Sequence, residues 1–598
     1  MTNINKKSNI NFTIQYNVSH SITVKKQAIK VSLLIVLISL SCLLVNAQNS
    51  KKNYFSAPIK IPIYLSGTFG ELRSNHFHTG IDIKTQGKTG FPVYAVDDGY
   101  VSRINISPSG YGLAIYLNHP NGKSSVYGHL SKLSSKLTEY AKENQYRQKS
   151  FQVNLSPSKD KFPIKKGEII AYTGNSGSSG GPHLHFEIRN TKTEHPVNPL
   201  LYLSGIKDDI APKIQSITIY PMSYDSNVSG KIIPQQWNTV FYKNTYHLKS
   251  NPVIQAYGEI GIGIKAIDYL NGSWSKCGIY ETKLFDDDTL VYYFCVNELS
   301  FDKGRYINSF IDYSWYIKHY QRIQKSWKEP GNMLENYKLL KNNGKISLRD
   351  GKTHHIRYEI KDAYGNTSTL GFLIQPRKIP VTHPTPQGIK ISWDNPFSLK
   401  EKGLTADFKK GTFYTDVHIY CREKENMLSK FAPVYELGSK YIPVQNYYQL
   451  SIKPENLPER LQSKAIIVAV DPSSARHQSL GGSYSDNRVK ASARQFGYFT
   501  IDADTIPPTI IPLNIKNKKT LINHLRVSFK ISDKLSGIKS YTGIIDNQWV
   551  LFEYDLKKQR ITYTFDPKRM TFGKTHNILL TVSDYKDNIA TYEASFYR

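Results

Sequence analysis

Short segments rich in β-branched and aromatic residues, separated by glycine turns, fill the sequence from Ala57 to about Gly205. They read PVYAVDDGYVSRI, GLAIYLNH, EIIAYTG and HLHFEIR. Strands of this length, spaced by turn residues, are typical of a compact antiparallel β domain. In the whole chain Tyr (42) and Phe (25) are abundant, whereas Leu, Ala and Glu do not dominate, which argues against long helical bundles. We therefore predict a mainly β protein, with a short helix around Leu137–Tyr146 in a long polar stretch.

The chain of 598 residues is too long for one hydrophobic core, since single cores stop growing near about 250–300 residues. A weak internal repeat follows Gly205. The paired segments are DDIAPKI (208–214) with DTIPPTI (504–510), KAIDYLNGSWSKCGIY (265–280) with FKISDKLSGIKSY (529–541), and IKDAYGNTS (360–368) with LTVSDYKDNIA (580–590). Repeats that end in a strand and an Asp–Asn turn are typical of immunoglobulin- or fibronectin-like β-sandwich modules.

These boundaries divide the chain into five parts. We predict a removable N-terminal segment over 1–47, a compact β domain over 48–205, and three β-sandwich modules over 206–380, 381–503 and 504–598. The first module carries an insertion, Tyr306–Leu340, with a helical pattern.

The beginning of the chain has the pattern of an export signal. Basic residues from Lys25 to Lys30 precede the apolar run Val31–Val45, and Val45-Asn46-Ala47 has the small-residue pattern of a cleavage site. This predicts a secretory signal peptide cut after Ala47, and an exported protein of the periplasm or cell envelope. The alternative is an uncleaved anchor, although the run is short for a hydrocarbon layer of ~30 Å.

Three cysteines follow this segment: Cys277, Cys295 and Cys421. So few cysteines do not define a disulfide scaffold. Two alternatives stand, a disulfide between Cys277 and Cys295 across a predicted hairpin, or three buried free thiols.

The formal net charge of +30 favours polyanionic partners such as an anionic cell wall. The positive charge is spread thinly and lacks Arg-rich blocks, so we expect no nucleic-acid partner.

The strongest local signal is HLHFEI, residues 183–188. Because strand residues alternate faces, His183, His185 and Glu187 point to one side and the apolar residues between them point to a core. Two neighbouring imidazoles beside the glycine-rich loop Gly174–Gly181 favour a metal site, with a pair of surface histidines as the alternative.

A second signal is HTGID, in which His78 and Asp82 are four residues apart and Gly80 allows the bend that turns both towards one ion. With one histidine of the strand they supply three zinc ligands and leave the fourth tetrahedral position for water, as in catalytic zinc sites. His76 has no ligand four residues later, and we interpret it as structural. A third signal, YGHL, places His129 at the end of a predicted strand.

These motifs resemble those of the lysostaphin-type (LytM-type) zinc metallopeptidases, a family of peptidoglycan endopeptidases. The resemblance covers residues 57–200 and depends on HFHTGIDI, VYGHL and GNSGSSGGPHLHFE in this order. It implies one Zn²⁺ per chain, bound by His78, Asp82 and His185. It also implies that His129 and His183 flank the metal without binding it.

The resemblance implies hydrolysis of peptide bonds in peptidoglycan stem peptides or cross-links by a zinc-activated water. No H-E-x-x-H helix supplies a general base, so His129 and His183 are the candidates for the base and for stabilising the developing oxyanion. The sequence does not assign the two roles. Glu187 is a candidate for supporting the ring of His185. The segment between His129 and Lys165 is longer than the family pattern, which leaves the shape of the substrate groove open.

Two other features have both a functional and a structural interpretation. Asp286-Asp287-Asp288 fits a calcium site or, more simply, a solvated hairpin turn. An aromatic and basic stretch fits stacking on sugars or a helix packed on a sandwich, and its residues are Tyr306, Tyr313, Trp315, Tyr316, Arg322 and Trp327.

Three functions compete. The first is a secreted zinc metallo-endopeptidase of peptidoglycan, and the presence of all five site residues favours it. The second is a non-enzymatic regulator of wall hydrolases or a wall-binding adaptor with the same fold. The third is a peptidase that acts on proteins outside the wall, because a fold does not fix a substrate. We expect peptidoglycan as partner, an envelope protein bound through the β-sandwich modules, and a membrane only if the N-terminal segment is uncleaved. We also expect residues 48–205 to bind zinc on their own.

Overall fold

The computed structural model describes residues 55–424, 429–474 and 476–598. The predicted signal peptide, residues 1–47, lies outside the described residues. No helix in the described ranges is both long and apolar enough to cross a membrane. The described chain is mainly β, which confirms the predicted fold class.

The first region, which corresponds to the predicted β domain of residues 48–205, is built from twelve short strands and one helix, α1 (Ser135–Gln148). The second, third and fourth regions correspond to the three predicted modules that follow it. The position of α1 confirms the helix predicted near residues 137–146. The strands are β1 (Leu65–Gly67), β2 (Ile81–Lys84), β3 (Pro92–Tyr94), β4 (Gly99–Ile106), β5 (Leu113–Asn118), β6 (Lys123–Leu130), β7 (Lys132–Leu133), β8 (Val153–Leu155), β9 (Pro163–Ile164), β10 (Ile169–Tyr172), β11 (His183–Asn190) and β12 (Pro196–Val197). A short 3₁₀ turn, Pro199–Leu201, follows.

The main sheet of this region has the order β1-β2-β11-β6-β5-β4-β8, with β12 paired to β11 and β9 paired to β4. A second sheet has the order β3-β10-β7. All of these pairings are antiparallel, as predicted. The strands β2, β11 and β6 are adjacent at the centre of the main sheet, and they carry the predicted site.

The second region contains thirteen strands in one connected sheet and two short helices, α2 (Ile307–Phe310) and α3 (Tyr313–His319). The strands are β13 (Lys213–Pro221), β14 (Asn227–Val228), β15 (Gln235–Tyr242), β16 (Thr245–Leu248), β17 (Ile254–Tyr257), β18 (Glu259–Ile267), β19 (Glu281–Asp286), β20 (Thr289–Cys295), β21 (Gln324–Lys325), β22 (Tyr337–Leu340), β23 (Ile346–Ser347), β24 (His354–Lys361) and β25 (Thr367–Pro376). Short 3₁₀ turns occur at Gly304–Tyr306 and Asn342–Gly344.

The insertion Tyr306–Leu340 is helical only as far as His319, so the prediction of a helical insertion was partly wrong. Tyr320 adopts a left-handed backbone with φ of 55° and ends α3. The rest of the insertion pairs with the sheet instead, because β21 joins β18 and β22 joins β20.

The third region has two five-stranded sheets and a two-stranded one, and the fourth has a four-stranded and a five-stranded sheet. The strands of the third are β26 (Ile389–Ile391), β27 (Phe397–Glu401), β28 (Leu404–Phe408), β29 (Val417–Ile419), β30 (Cys421–Glu423), β31 (Tyr435–Leu437), β32 (Tyr448–Ile452), β33 (Ala465–Val470), β34 (His477–Ser479), β35 (Ser483–Ser485), β36 (Arg488–Ala493) and β37 (Gly497–Ala503), with a 3₁₀ segment at Glu459–Lys464.

Those of the fourth are β38 (Thr509–Pro512), β39 (Lys519–Thr520), β40 (Arg526–Ser532), β41 (Ile538–Ile545), β42 (Gln548–Val550), β43 (Glu553–Asp555), β44 (Arg560–Thr564), β45 (Thr575–Asp584) and β46 (Ile589–Tyr597), with a 3₁₀ turn at Leu556–Lys558.

Among the described residues, large hydrophobic clusters follow the division into regions. The third and fourth regions have their own cores, over residues 391–501 and 515–596. The core of the second region runs from Ile214 to Ile374, but it also contains Phe69 and Phe77 of the first region. The ring of Phe77 lies 5.8 Å from that of Phe310 in α2. The first two regions therefore share a core.

The internal repeat is visible as matching loops. In the second region, the side-chain amide of Asn366 donates to the Asp208 carbonyl and to a carboxylate oxygen of Asp362. In the fourth region, Asn588 donates in the same way to Asp504 and Asp584. Equal contacts at equal repeat positions support a common origin of these two regions.

The structure also bears on the predictions for the cysteines, the acidic turn and the aromatic stretch. The three cysteines are free, so the Cys277–Cys295 disulfide is absent. Asp287 and Asp288 have positive φ and form the turn between β19 and β20, which supports the hairpin interpretation. The aromatic and basic stretch packs on the second region: Trp327 is 3% exposed, and Tyr306 and Tyr316 contact its core.

Candidate active site

The register of three adjacent strands assembles the site. In the antiparallel sheet, His185 of β11 lies directly opposite Asp82 of β2 on one side and Gly128 of β6 on the other. The alternation along β11 is as predicted, with the intervening Leu184 and Phe186 fully buried. A side chain at Gly128 would contact the ring of Tyr111 and the ring of His185, so glycine leaves room there for both rings.

His78, Asp82 and His185 form a compact, buried triangle. The Nε2 atom of His78 lies 3.2 Å from Nδ1 of His185, and Oδ1 of Asp82 lies 3.1 Å and 2.9 Å from these two nitrogens. Ligands at ~2.1 Å from a tetrahedral zinc ion are about 3.4 Å apart, so three donors at this spacing fit zinc. Two imidazole nitrogens and one carboxylate oxygen also match the donors that zinc prefers.

Both histidines of the triangle are oriented through their other ring nitrogen. Nδ1 of His78 lies 2.9 Å from the Thr68 carbonyl oxygen, and Nε2 of His185 lies 2.9 Å from Oε1 of Glu187. In each ring the N–H therefore donates outward, and the lone pair of the remaining nitrogen faces the triangle. Glu187 is thus placed to support the ring of His185 through this hydrogen bond.

Glu187 is itself held by three neighbours. Its carboxylate accepts hydrogen bonds from the hydroxyls of Thr79 and Tyr111 at 2.6 Å and 2.5 Å. The guanidinium of Arg189 forms an ion pair with it at 2.6 Å. Since Glu187 is fully buried, this network keeps its charge compensated and fixes the ring of His185.

His183 and His129 lie beside the triangle. Nδ1 of His183 is 2.9 Å from the Gly181 carbonyl oxygen, and Nδ1 of His129 is 2.9 Å from that of Ser176. Each ring therefore donates from Nδ1 to a loop carbonyl. Nε2 of His183 faces the triangle, 3.3 Å from Oδ1 of Asp82. The two rings are 4.8 Å apart between centroids.

His129 has an uncommon backbone for a residue near the end of a strand, with φ of 59°. Non-glycine residues in this left-handed region are sparse and cluster at functional sites. The conformation accompanies the turn of its ring into the groove, 5.7 Å from the ring of His185.

The charges of the site are strongly coupled. Burial alone would raise the pKa of Asp82, but hydrogen bonds from His183, His185 and His78 hold it well below its ordinary value. Burial alone would lower the pKa of His185, but its bonds to Asp82 and Glu187 raise it to about 9. Burial, together with the neighbouring imidazoles, lowers the pKa of His129 to about 3.

Two details differ from the expectations. Gly80 is not needed for a bend, since its φ is not positive; a Cβ there would lie 2.4 Å from the Phe186 carbonyl oxygen, so glycine permits close packing of the chain on β11. His76 is exposed on the groove rim instead of structural, with Nδ1 2.9 Å from the Ser74 carbonyl oxygen.

The triangle lies in a groove of about 780 Å³ with walls from two regions. One wall comes from the first region, and the other is formed by residues 297–304 and 334–338 of the second region. The Asn198 N–H donates to the Asn297 carbonyl, and the Leu299 N–H donates to the Pro196 carbonyl, both at 2.9 Å. The second wall is thus hydrogen-bonded to β12 and its flank.

The fourth region contacts the glycine-rich loop at the other end of the groove. The ammonium group of Lys557 donates to the carbonyl oxygens of Asn175 and Ser179. Lys142 of α1 forms an ion pair with Asp566 at 2.7 Å. These contacts are polar, unlike the shared core of the first two regions.

Several groups were missed from the sequence. Arg73 forms an ion pair with Oδ2 of Asp82 at 3.1 Å, and no local pattern indicates it. Arg189 was detectable, because it lies two residues after Glu187 and so on the same strand face. Tyr111 and the groove wall of the second region are distant in sequence, and only the fold brings them to the site.

Comparisons with known proteins match two parts of the chain. Residues 76–146 and 149–199 match the model of peptidase family M23, and residues 389–504 match that of a Zu5-like domain. The DD-carboxypeptidase/endopeptidase Mpg of Neisseria meningitidis is 33% identical over 129 residues, 22% of this chain and 23% of that protein. The cell division protein DipM of Caulobacter vibrioides is 27% identical over 158 residues, 26% of this chain and 22% of that protein.

Among solved structures, the catalytic domain of the prophage-encoded M23 protein EnpA of Enterococcus faecalis is similar, with 26% identity and a TM-score of 0.18. This match covers 24% of the present chain and 95% of EnpA. The alignment to the curated relatives spans about a quarter of their length. The gap in the family match falls at the end of α1, in the segment that departs from the family pattern. The domain that carries His78, Asp82, His129, His183 and His185 thus matches the model of peptidase family M23 and is similar to the M23 relatives over this part of the chain.

Proposed function

We propose that the chain is an exported zinc metallo-endopeptidase that hydrolyses peptide bonds of peptidoglycan. The observation that carries the proposal is the buried triangle of His78, Asp82 and His185 at the floor of an open groove. One Zn²⁺ per chain would be held by these three residues. When bound, the ion supplies a Lewis acid that activates water and polarises the scissile carbonyl.

The protein's own residues supply proton transfer and orientation. His183 and His129 each donate Nδ1–H to a loop carbonyl, which leaves Nε2 as the proton acceptor next to the triangle. Of the two, His183 lies nearer to Asp82 and is our candidate for the general base. Because burial and the neighbouring imidazoles lower the pKa of His129 to about 3, this ring stays neutral, and its Nε2 is placed to accept a hydrogen bond from the attacking water.

Action on peptidoglycan is supported by the match to peptidase family M23 and by the similarity to Mpg, a DD-carboxypeptidase/endopeptidase. Peptidoglycan stem peptides carry free carboxylates, and the net charge of +30 favours their attraction. The modules after residue 205 are proposed to position the groove on the wall. Export is proposed from the N-terminal apolar segment.

The metal assignment is tested by zinc analysis. His185→Ala, His78→Ala and Asp82→Ala should each reduce zinc from one per chain to none in folded protein. His76→Ala is the matched control and should retain the metal, because His76 is exposed and outside the triangle. Full zinc in a folded His185→Ala protein would refute the ligand set.

The catalytic assignment is tested on purified peptidoglycan, with identification of the newly formed termini. His183→Ala and His129→Ala should keep zinc and lower turnover by ~10²–10⁴-fold. The pH–rate profile assigns the roles, because removal of the base abolishes the acidic limb. If the zinc-loaded protein releases no termini from peptidoglycan but activates another wall hydrolase, the regulator interpretation replaces the enzyme.

A further inference from the structure

Three carboxylates converge at the junction of the first two regions, away from the groove. Asp208, Asp268 and Asp362 each place one oxygen within 4.8 Å of the others. Asp268 and Asp362 are 3% exposed, and Asp208 is half-buried. Three negative charges at this spacing repel one another strongly when they are removed from water.

Asp362 accepts hydrogen bonds from the backbone N–H groups of Tyr364 and Asn366 and from the Asn366 side chain, but the other two carboxylates are less well compensated. Oδ1 of Asp268 and Oδ2 of Asp208 are buried and have no hydrogen-bond donor. Among the described residues, none of the three carboxylates forms an ion pair with a Lys, Arg or His side chain. In proteins, such groups are either protonated or coordinate a cation.

A small cavity marks the place where a ligand fits. It has a volume of about 10 Å³, close to the space of one water-sized sphere, and all three aspartates line it. Thr68 and Asn198 of the first region and Tyr364 also line the cavity, and the hydroxyl of Tyr364 is buried without a hydrogen-bond partner.

The equivalent cluster of the repeat provides an internal contrast. Asp504, Asp533 and Asp584 occupy the matching positions in the fourth region. There the backbone N–H of Ser536 donates to Oδ2 of Asp504 at 2.9 Å, and two backbone N–H groups donate to Oδ1 of Asp533. The corresponding oxygens in the second region receive no such donors.

We propose that Asp208, Asp268 and Asp362 bind one calcium ion at the junction of the first two regions. Calcium takes carboxylate, carbonyl and hydroxyl oxygens at 2.3–2.6 Å, so two ligands of one ion are at most about 5 Å apart, as they are here. The net charge of the three carboxylates favours a hard cation over water.

The position of the site gives the ion a structural role. Thr68 lines the cavity, its hydroxyl accepts the Gly278 N–H at 3.1 Å, and its carbonyl accepts the hydrogen bond from His78. The ion would therefore hold the loop from Asp268 to Tyr280 against β1 and its flank, next to the residue that orients His78. This role does not depend on the proposed peptidase activity.

Calcium binding to the full chain tests the proposal. Protein is stripped on a chelating resin, reloaded with one equivalent of Zn²⁺, checked by elemental analysis, and titrated calorimetrically with CaCl₂ up to several mM, since extracellular calcium modules bind at ~10⁻⁴–10⁻³ M. One calcium per chain should bind and raise the midpoint of thermal unfolding by about 5 °C or more.

Asp268→Asn removes one charge and keeps the shape. It should lose calcium binding, and without calcium it should unfold at a higher temperature than the unchanged protein, because the repulsion is relieved. Asp533→Asn is the matched control and should bind calcium as the unchanged protein does. The proposal is overturned if calcium neither binds nor stabilises, if Asp268→Asn binds it equally, or if Asp533→Asn loses it.

Discussion

The second and fourth regions carry the same repeat, and each contacts the peptidase domain in a different way. The second contributes a groove wall and shares a hydrophobic core with the domain through Phe69 and Phe77. The fourth keeps its own core and contacts the domain with polar groups such as Lys557 and with one pair of rings, Tyr146 and Trp549. A duplicated unit has thus become an integral part of the site in one copy and a surface neighbour of it in the other.

The aspartate clusters differ in the same sense. In the fourth region the backbone satisfies the carboxylates, as expected for a unit that folds on its own. In the second region two carboxylate oxygens lack donors at the boundary with the peptidase domain. Both copies of the repeat therefore place three aspartates together, but the contacts with the peptidase domain determine whether the carboxylate oxygens are satisfied.

The largest expected effect comes from the shared core. Phe310→Ala removes a ring that is 2% exposed and lies 4.4 Å from that of Phe294. We expect a loss of about 3–5 kcal/mol in the free energy of unfolding and at least a ~10-fold weaker affinity for zinc, although Phe310 is far in sequence from the ligands. Chemical denaturation and competitive zinc titration measure both quantities.

The matched control is Phe499→Ala, which creates a similar cavity in the separate core of the third region. It should lower stability without changing zinc affinity. Unchanged zinc affinity in Phe310→Ala would show that the peptidase domain is independent of the second region, as the sequence alone suggested for residues 48–205.

The next effect concerns pH in the absence of calcium. Burial raises the pKa of Asp268 to about 8, with a contribution from the charge of Asp208, and burial raises the pKa of Asp208 to about 6. The folded chain then binds more protons than the unfolded chain between pH ~4 and ~8, so the free energy of unfolding falls as pH rises through this window. The titratable groups that act on this pair are Asp209 and Asp362, and the thiol of Cys277 is close enough to interact with both aspartates.

Denaturation curves of chelated, zinc-loaded protein at several pH values measure this slope. It should be reduced in Asp268→Asn and removed by saturating calcium, whereas Asp533→Asn should keep it. An equal slope in the unchanged protein and in Asp268→Asn would contradict the assignment of the pH dependence to the cluster of the second region.

The smallest effect belongs to the polar contact of the fourth region. Lys557→Ala removes hydrogen bonds to the glycine-rich loop and should change peptidoglycan turnover by less than ~3-fold, because exposed charged contacts contribute about 1 kcal/mol or less. Lys558→Ala, next to it and paired only with Asp555 in the described chain, is the control. A complete loss of turnover in Lys557→Ala alone would show that the fourth region contributes to the site as strongly as the second region does.

Much of the fold was predictable, because strand alternation and turn residues are local. The face carrying His183 and His185 followed from a period of two, and the helix near residue 140 from its polar pattern. The helical insertion was overpredicted, since pairing of β21 and β22 with the sheet outweighed local preference. The joining of thirteen strands of the second region into one sheet depends on long-range pairing, which local sequence does not encode.

For the site, the residues that converge were predictable from motifs, and their surroundings were not. His78, Asp82 and His185 meet because β2 and β11 are neighbours in register. Arg73, Thr68 and the wall from the second region reach the site through tertiary contacts alone. Sequence patterns thus identify the chemistry, whereas the fold supplies orientation and access.

The position of Phe77 has a consequence for the order of biosynthesis. The residue next to His78 is buried in a core whose other members extend to Ile374. A chain that emerges from its N-terminus tends to fold domain by domain, in that order. Here Phe77 cannot reach its final packing until its partners in the second region, such as Phe310, have been synthesised. The segment that carries His78 therefore completes its packing late, after most of the residues of its own domain are already available.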